Sequence, residues 1–291
     1  MILLGHNESI AWGHTVNGPD LVDVFELEMN PQNISQYKVD GQWVQLERSV
    51  APIEVKLAGN YRLRVKREVL HSIFGPVMRV EQKVYALRYA GMNQFRQLEQ
   101  WYRMGQAKNL KTFKEAMRIQ ALSMFNTGYG DKEGNIFYVY NALLPKRLPG
   151  RNWSGTIKGD SRELIWDEYL SLDELPQVEN PDSGFLQNCN SNPFMTTIGE
   201  GNPDESRFKD SHGIEKSMTN RARRALELYG GDDSITREEF FQYKYDKTYG
   251  SDSKLRKLIK EFLDNVEANK DLKEELGLIS QWGGSLEKGN K

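Results

Sequence analysis

Alternating hydrophobic and polar positions dominate residues 1–89, which is the pattern of β-strands with one buried face. Ile10, Trp12, His14 and Val16 alternate with small residues directly after a polar turn at 5–9. Further alternating runs lie at 22–29, 53–57, 61–69 and 84–89. Asp-Gly at 40–41 and Gly-Asn at 59–60 are short-hairpin turn sequences. The first third of the chain is therefore predicted to be β-rich.

Helical periodicity enters at residue 95, where two segments place apolar residues on one face each. These residues are Phe95, Leu98, Trp101 and Tyr102 in the first segment, and Leu110, Phe113, Ala116 and Met117 in the second. Strands are predicted again at 122–127 and 136–139, joined by a turn at 131–135. A loop at 143–160 and a single helical turn at 171–176 follow.

Beyond a polar loop at 196–213 the pattern is mainly helical. A helix is predicted at 221–228, and Thr236 with Glu239 forms a capping box that starts another. An apolar stripe at helical spacing predicts a third helix, and its members are Leu255, Leu258, Ile259, Phe262, Leu263 and Val266. We predict an α+β fold with two portions: a β-rich portion at 1–193 with two inserted helices, and a mainly helical portion at 194–291.

Composition narrows the function classes. The net charge of −2 favours neither nucleic acid nor an anionic membrane as a partner. No apolar run approaches the length of a membrane span. Cys189 is the single cysteine, so no internal disulfide can form. The four histidines lack zinc-site spacing, and no G-x-S-x-G nucleophile turn is present. No organic cofactor is expected.

Several short motifs occur in a fixed order along nearly the whole chain. They are GHN-x-x-x-AWG from Gly5, D-x-V-D from Asp20, the Asp131–Tyr138 segment DKEGNIFY, N-P-x-S-G-F from Asn180, Asn190, Arg221 and QWG from Gln281. In this order the sequence resembles the large-subunit region of the penicillin acylase family of N-terminal-nucleophile (Ntn) hydrolases. His14-Thr15-Val16 is more similar to the acyl-homoserine lactone acylase branch than to the penicillin G branch. The resemblance implies an αββα sandwich fold.

The resemblance also implies how the oxyanion of an acyl-transfer reaction is held. Asn190 aligns with the family's oxyanion asparagine, and the backbone N–H of Val16 aligns with the second donor. Arg221 aligns with an arginine near the active site, where a guanidinium can hold catalytic groups by forked hydrogen bonds. Two structural interpretations stay open: the asparagines 188, 190 and 192 tie down a tight loop, and Arg221 belongs to a solvated, arginine-rich helix face.

His14 and Trp12 are candidate substrate-binding residues because they share one face of the predicted strand. They line an acyl pocket on one interpretation and pack in the core on the other, since aromatic residues on strands are usually core.

Asp20, Asp23 and the carbonyl of Val22 align with three ligands of the family's calcium site. Hard cations take several oxygen ligands, and two carboxylates with one carbonyl form part of such a shell. The competing interpretation is that the two aspartates cap a turn at the strand entrance.

By resemblance the nucleophile is the residue at the free N-terminus of the large subunit, upstream of the GHN segment, and no residue here aligns with it. We therefore expect a fragment of a longer or split acylase that hydrolyses acyl amides of β-lactam or acyl-homoserine lactone type, inactive on its own. Its expected partners are the acyl-amide substrate and the remaining subunit segments, and the family suggests a periplasmic or extracellular location. A non-catalytic remnant that binds a ligand or a partner chain is the alternative.

Overall fold

The computed structural model describes residues 2–266 and 272–287. The strands are β1 (Gly5–His6), β2 (Ile10–Thr15), β3 (Val22–Glu26), β4 (Met29–Asn30), β5 (Asn33–Val39), β6 (Gln42–Gln45), β7 (Glu47–Lys56), β8 (Arg62–Ser72), β9 (Gly75–Val80), β10 (Lys83–Tyr89), β11 (Met124–Asp131), β12 (Ile136–Ala142), β13 (Thr156–Lys158) and β14 (Gln177–Glu179). The helices are α1 (Gln97–Gln106), α2 (Leu110–Met117), α3 (Asn220–Gly230), α4 (Arg237–Lys244), α5 (Lys254–Asn265) and α6 (Lys273–Gln281). The α+β fold class is confirmed.

The strands form three sheets. The first has the order β1-β2-β11-β12-β14, the second β13-β3-β10-β9-β8-β7, and the third β4-β5-β6. All pairings are antiparallel except that of β13 with β3. Strand β13 lies inside the segment 143–160, which was predicted to be a loop. A strand of three residues is too short to show an alternating pattern, so it could not be predicted from the sequence.

The first sheet carries the core on both of its faces. Residues 137–142 of β12 are all buried, which is typical of a strand covered on both sides. Helix α2 covers this sheet by placing the fully buried Phe113 against Tyr129 of β11, with ring centroids 4.8 Å apart. One continuous cluster of buried residues joins this layer to Phe25 and Phe74 of the second sheet region, whose rings stack at 4.6 Å.

Local signals in the sequence identified several turns and caps correctly. Asn7 Oδ1 accepts the backbone N–H groups of Ser9 and Ile10 at 2.8 and 3.0 Å, which sets the entry into β2. The Asp40–Gly41 turn joins β5 to β6 with both residues at positive φ, as a type I′ hairpin requires. The capping box at Thr236 starts α4.

The buried face of α1 differs from the one that apolar periodicity indicates. Leu98 and Tyr102 are 65% and 67% exposed, whereas Gln100 is fully buried. Gln100 Oε1 accepts the backbone N–H groups of Ala121 and Leu122 at 2.7 and 3.0 Å. A buried amide that satisfies two buried N–H groups stabilises this arrangement, and a helical wheel cannot reveal it.

The predicted helices beyond residue 194 are present as α3 to α5, followed by α6. The apolar stripe of α5 does form one helix, but Leu258 and Phe262 remain substantially exposed. The division into portions at residue 193 stays a prediction. Among the helices of the described ranges, none combines the length and apolar character needed to cross a bilayer.

Candidate functional site

The C-terminal end of β2, in the first sheet, contacts the asparagine-rich loop at 186–192. Pairing of β2 with β11 places Thr15 opposite Asn126 and His14 opposite Thr127. Beyond the last paired residue, the carbonyl of Val16 accepts a hydrogen bond from Asn190 Nδ2 at 2.8 Å. Two groups 174 positions apart in the sequence therefore share one exposed location.

Arg221 completes this contact from the first turn of α3. The helix begins at its cap Thr219, whose hydroxyl accepts the N–H of Ala222 at 3.2 Å. One terminal nitrogen of Arg221 donates to Asn190 Oδ1 at 2.8 Å. Because a guanidinium only donates and stays charged, it fixes the amide oxygen toward itself and the amide NH₂ toward Val16. The three residues predicted to act together do lie together.

Asn188 holds the backbone around Asn190. Its Oδ1 accepts the N–H of Asn190 at 3.1 Å, Nδ2 of the buried Asn126 at 3.1 Å, and the hydroxyl of Thr15. Its Nδ2 donates to the carbonyl of Ser191 at 3.2 Å. Asn190 itself has a φ of +57°, a conformation that asparagine tolerates better than most residues.

Asn126 and Tyr138 lie beneath this loop, where both are hydrogen-bonded to Asn188. Neither residue was among the predicted site residues. The Tyr138 hydroxyl donates to Asn126 Oδ1 at 2.6 Å, and both residues are buried. Burial raises the pKa of Tyr138 well above its ordinary value, with the Glu215 carboxylate adding to the effect, so the hydroxyl keeps its proton. Both side chains come from strands whose polar residues look unremarkable in the sequence.

The three asparagines of the loop differ in whether they only hold the loop in place. Asn192 is such a tie, because its Nδ2 donates to the carbonyl of Lys216 at 3.0 Å and its N–H donates to that of Ser217 at 2.9 Å. Asn188 is mainly a tie as well. Asn190 is exposed, and among the described residues its side chain forms hydrogen bonds with Val16 and Arg221. Its oxyanion role stays a prediction.

His14 lies half-buried beside this loop. The indole N–H of Trp101 donates to His14 Nε2 at 3.2 Å, so Nε2 accepts and the ring proton is on Nδ1, 3.1 Å from the Thr127 hydroxyl. Burial lowers the pKa of His14, an effect that a backbone hydrogen bond involving Asn126 partly opposes. The ring is therefore neutral at pH 7.

A cavity of about 240 Å³ opens next to His14. Its lining residues are Gly13, His14, Thr15, Asn126, Gly128, Tyr138, Leu186, Gln187 and Asn188. Trp12, the other predicted substrate-binding residue, is 5% exposed and belongs to the core cluster, where its indole N–H donates to the carbonyl of Leu3 at 3.2 Å. His14 thus lies at this cavity, whereas Trp12 lies in the core.

A larger cavity of about 1140 Å³ is lined in part by Arg221 and lies between the 185–189 loop and helices α3 and α4. Aromatic rings form much of its wall, including Phe185 and Tyr229, whose centroids are 5.9 Å apart. Cys189 also lines it, and burial raises the pKa of this thiol. A raised pKa keeps the thiolate scarce at neutral pH, which makes Cys189 a poor nucleophile.

The predicted calcium ligands have other contacts. Asp23 Oδ2 accepts Arg147 Nε at 2.8 Å and the indole N–H of Trp166 at 2.6 Å. Burial raises the pKa of Asp23, and the Arg147 guanidinium opposes that rise. Asp20 is partly exposed, and Val22 lies exposed at the start of β3.

In this arrangement the donor set does not suit a divalent cation, because the buried guanidinium of Arg147 already engages the Asp23 carboxylate and the Asp20 carbonyl. Within the described ranges, no group of three or more His, Cys, Asp or Glu side chains is arranged to hold a metal ion. Calcium binding itself stays a prediction.

Comparison with known proteins supplies the family. The model of the family described as penicillin amidase matches residues 1–291. Acyl-homoserine lactone acylase PvdQ of Pseudomonas syringae pv. tomato is 32% identical over 251 residues, which cover 78% of this chain and 32% of that protein. Penicillin G acylase of Escherichia coli is 30% identical over 193 residues, covering 66% of this chain and 22% of that protein.

A solved structure agrees with these relatives at the level of the fold. Thermostable penicillin G acylase from Alcaligenes faecalis matches with a TM-score of 0.79 at 23% identity, over 99% of this chain and 51% of that one. The chain spans only 20% to 32% of the length of the curated acylases named PvdQ that it matches. Because the family model covers the chain from end to end, this protein belongs to the penicillin amidase family and has its Ntn-hydrolase fold.

Proposed function

We propose that this chain supplies the oxyanion-binding part of an acyl-amide hydrolase. The reaction is transfer of an acyl group from an amide to water, which releases a carboxylic acid and an amine. The observation that carries the proposal is the contact between Asn190 Nδ2 and Val16 at 2.8 Å, because it places an amide donor beside the backbone of the residue expected to give the second donor.

The orientation of Asn190 suits this role. An amide NH₂ has two hydrogens, and the described contacts engage one of them, at the Val16 carbonyl. Arg221 holds the amide oxygen, so the NH₂ cannot rotate away without losing a charge-assisted hydrogen bond. Donors that are fixed before the oxyanion forms need no reorganisation during the reaction, and one such donor contributes about 3 kcal/mol.

The substrate class follows from the relatives. Their names describe one as acting on acyl-homoserine lactones and the other on penicillin G. We assign the same chemistry, an acyl chain joined through an amide to a small cyclic amine, to this chain. The cavity beside His14 has room for part of such a substrate and adjoins Asn188, which positions Asn190.

We further propose that polypeptide outside these residues supplies the nucleophile and covers α1. Phe95 is 82% exposed, and Leu98 and Tyr102, which follow it at helical spacing, are 65% and 67% exposed. Monomeric proteins seldom leave clustered large apolar side chains in water, so this surface suits the remaining segments of an acylase. On its own, this chain is then inactive.

The test is replacement of Asn190 by alanine in the full-length acylase encoded by the gene that contains this chain. Loss of one oxyanion donor is expected to lower kcat about 100- to 1000-fold with a small change in KM, measured with acyl p-nitroanilides and with acyl-homoserine lactones. Asn93→Ala is the matched control, because Asn93 also has a positive φ, of +63°. Among the described hydrogen bonds, none joins Asn93 to Asn190, Val16 or Arg221.

Three results would count against the proposal. A kcat for Asn190→Ala within threefold of that for Asn93→Ala removes the oxyanion role. Hydrolysis by this chain alone that is abolished by replacing one of its serines contradicts an external nucleophile. A full-length wild-type protein that is inactive on both substrate classes favours the non-catalytic alternative.

A further inference from the structure

A buried arginine stands among the residues that the family resemblance assigns to calcium. Arg147 lies in the segment after β12, and its side chain has no exposure to solvent. Its Nε donates to Asp23 Oδ2 at 2.8 Å, one terminal nitrogen donates to the carbonyl of Asp20 at 2.8 Å, and the other donates to the carbonyl of Ser211 at 2.9 Å.

The surroundings of the guanidinium are built for a planar cation. Trp153 and Trp166 place their rings 5.7 and 5.9 Å from it, which adds cation–π attraction on top of the hydrogen bonds. A carboxylate oxygen of Asp20 lies 3.7 Å from it. One positive charge therefore faces two carboxylates and two carbonyls, the kind of oxygen set that a hard cation also takes.

A calcium ion cannot share this location with Arg147. Calcium takes about six to eight oxygens, and here the guanidinium already engages the Asp20 carbonyl and Asp23 Oδ2. Asp23 Oδ1 is buried without a hydrogen-bond partner among the described residues, and the Asp20 carboxylate lies 3.7 Å from the guanidinium, but these two carboxylates alone fall well short of a calcium shell. A divalent ion at that oxygen would also be repelled by the adjacent guanidinium.

We propose that Arg147 is a built-in replacement for the calcium ion, so that this site is held together without metal. The guanidinium joins the entrance of β3 to the turn at 210–213, two segments far apart in the sequence. A positive charge supplied by a side chain is always present, and its strength does not depend on the calcium concentration.

Arg147 donates to a carbonyl of the turn at 210–213, which is closely packed and precedes the helix that carries Arg221. Gly213 has a φ of +69°, and its carbonyl accepts the N–H of Asp20 at 2.8 Å. A Cβ at this glycine would lie 3.2 Å from an Arg147 terminal nitrogen. Six residues later Thr219 caps α3, which carries Arg221. Arg147 thus fixes the approach to the helix that orients Asn190.

The experiment compares thermal unfolding of this protein in EDTA and in millimolar calcium chloride. The wild type is expected to unfold at the same Tm, within 1 °C, in both. A calcium-dependent rise of several degrees that disappears in Asp20→Ala would overturn the proposal, because it would place a stabilising ion at this site. A rise that persists in Asp20→Ala arises at another site and leaves this one metal-free, as proposed.

A variant pair tests the guanidinium directly. Arg147→Met removes the charge, and its Tm in EDTA is expected to fall well below that of Arg151→Met, an exposed arginine of the same loop. Equal Tm values for the two variants would overturn the proposal. If Arg147→Met does not fold at all in EDTA, folding that calcium alone restores supports the proposal, and the wild-type comparison still stands as an independent test.

Discussion

Asn188 offers the sharpest test of how the candidate site is built, through the substitution Asn188→Ala. This change removes the acceptor of the Asn190 N–H and of Asn126 Nδ2, both at 3.1 Å, the acceptor of the Thr15 hydroxyl, and the donor to the Ser191 carbonyl at 3.2 Å. At about 1 kcal/mol net for each of these four hydrogen bonds, the free energy of unfolding should fall by about 4 kcal/mol. Asn126 is only 1% exposed, but its NH₂ keeps a 3.5 Å hydrogen bond to the Val16 carbonyl, so the expected loss lies in a range of about 3–5 kcal/mol.

The assay is urea unfolding followed by tryptophan fluorescence, with Asn152→Ala as the control. Asn152 is an exposed loop asparagine whose Oδ1 accepts the N–H and the hydroxyl of Ser154 at 3.0 and 2.7 Å. Its loss should cost about 0.5 kcal/mol, as is usual at the surface. In the full-length acylase proposed above, Asn188→Ala should also lower kcat, because Asn190 is no longer held at its positive φ. Equal stability of the two variants would refute the reasoning.

Three further substitutions probe the turn, the histidine and the arginine of the site. Gly213→Ala should destabilise the protein by more than about 2 kcal/mol in urea unfolding, because its Cβ would lie 2.7 Å from the Asp20 Cβ at a φ of +69°. His14→Gln should flatten the pH dependence of unfolding below about pH 6.5. Arg221→Met should lower kcat of the full-length enzyme about tenfold, with partial recovery in Arg221→Lys, because the Asn190 amide loses the donor that orients it.

Each of these has a matched check. Gly134 also has a positive φ, but a Cβ added there would meet no atom within 4 Å, so Gly134→Ala measures backbone strain without the clash. Equal losses at Gly134 and Gly213 would contradict the predicted clash at Gly213. Burial lowers the folded-state pKa of His14 below its ordinary value of 6.5. The stability that His14 contributes is therefore fully present above pH 6.5 and is lost as the pH falls toward the folded-state pKa. An unchanged pH profile in His14→Gln contradicts this. Unchanged kcat in Arg221→Met removes its orienting role.

The elements of this protein were largely readable from local sequence. Turn residues such as Asn7 and Asp40 act on their own backbone within two or three positions, so their effect is visible in a short window. The capping box at Thr236 is equally local. The long alternating runs predicted most strands for the same reason, since the period of a strand is a property of neighbouring residues.

The family resemblance and the order of the motifs also came from the sequence, and the family model confirms them. The sequence further suggested which residues belong to the site, although the contacts were not derivable from it. Nothing in the local pattern shows that Asn190 Oδ1 faces Arg221 or that its NH₂ faces Val16.

Only the tertiary structure decided which faces are buried and which charges are paired. Gln100 is buried while its apolar neighbour Leu98 is exposed, because two backbone N–H groups 21 and 22 positions away need its oxygen. Asp23 faces Arg147, 124 positions away, a pairing that the motif around Asp23 does not reveal. Burial and ion pairing depend on groups brought together by the fold from distant parts of the chain, so no local window of sequence contains them.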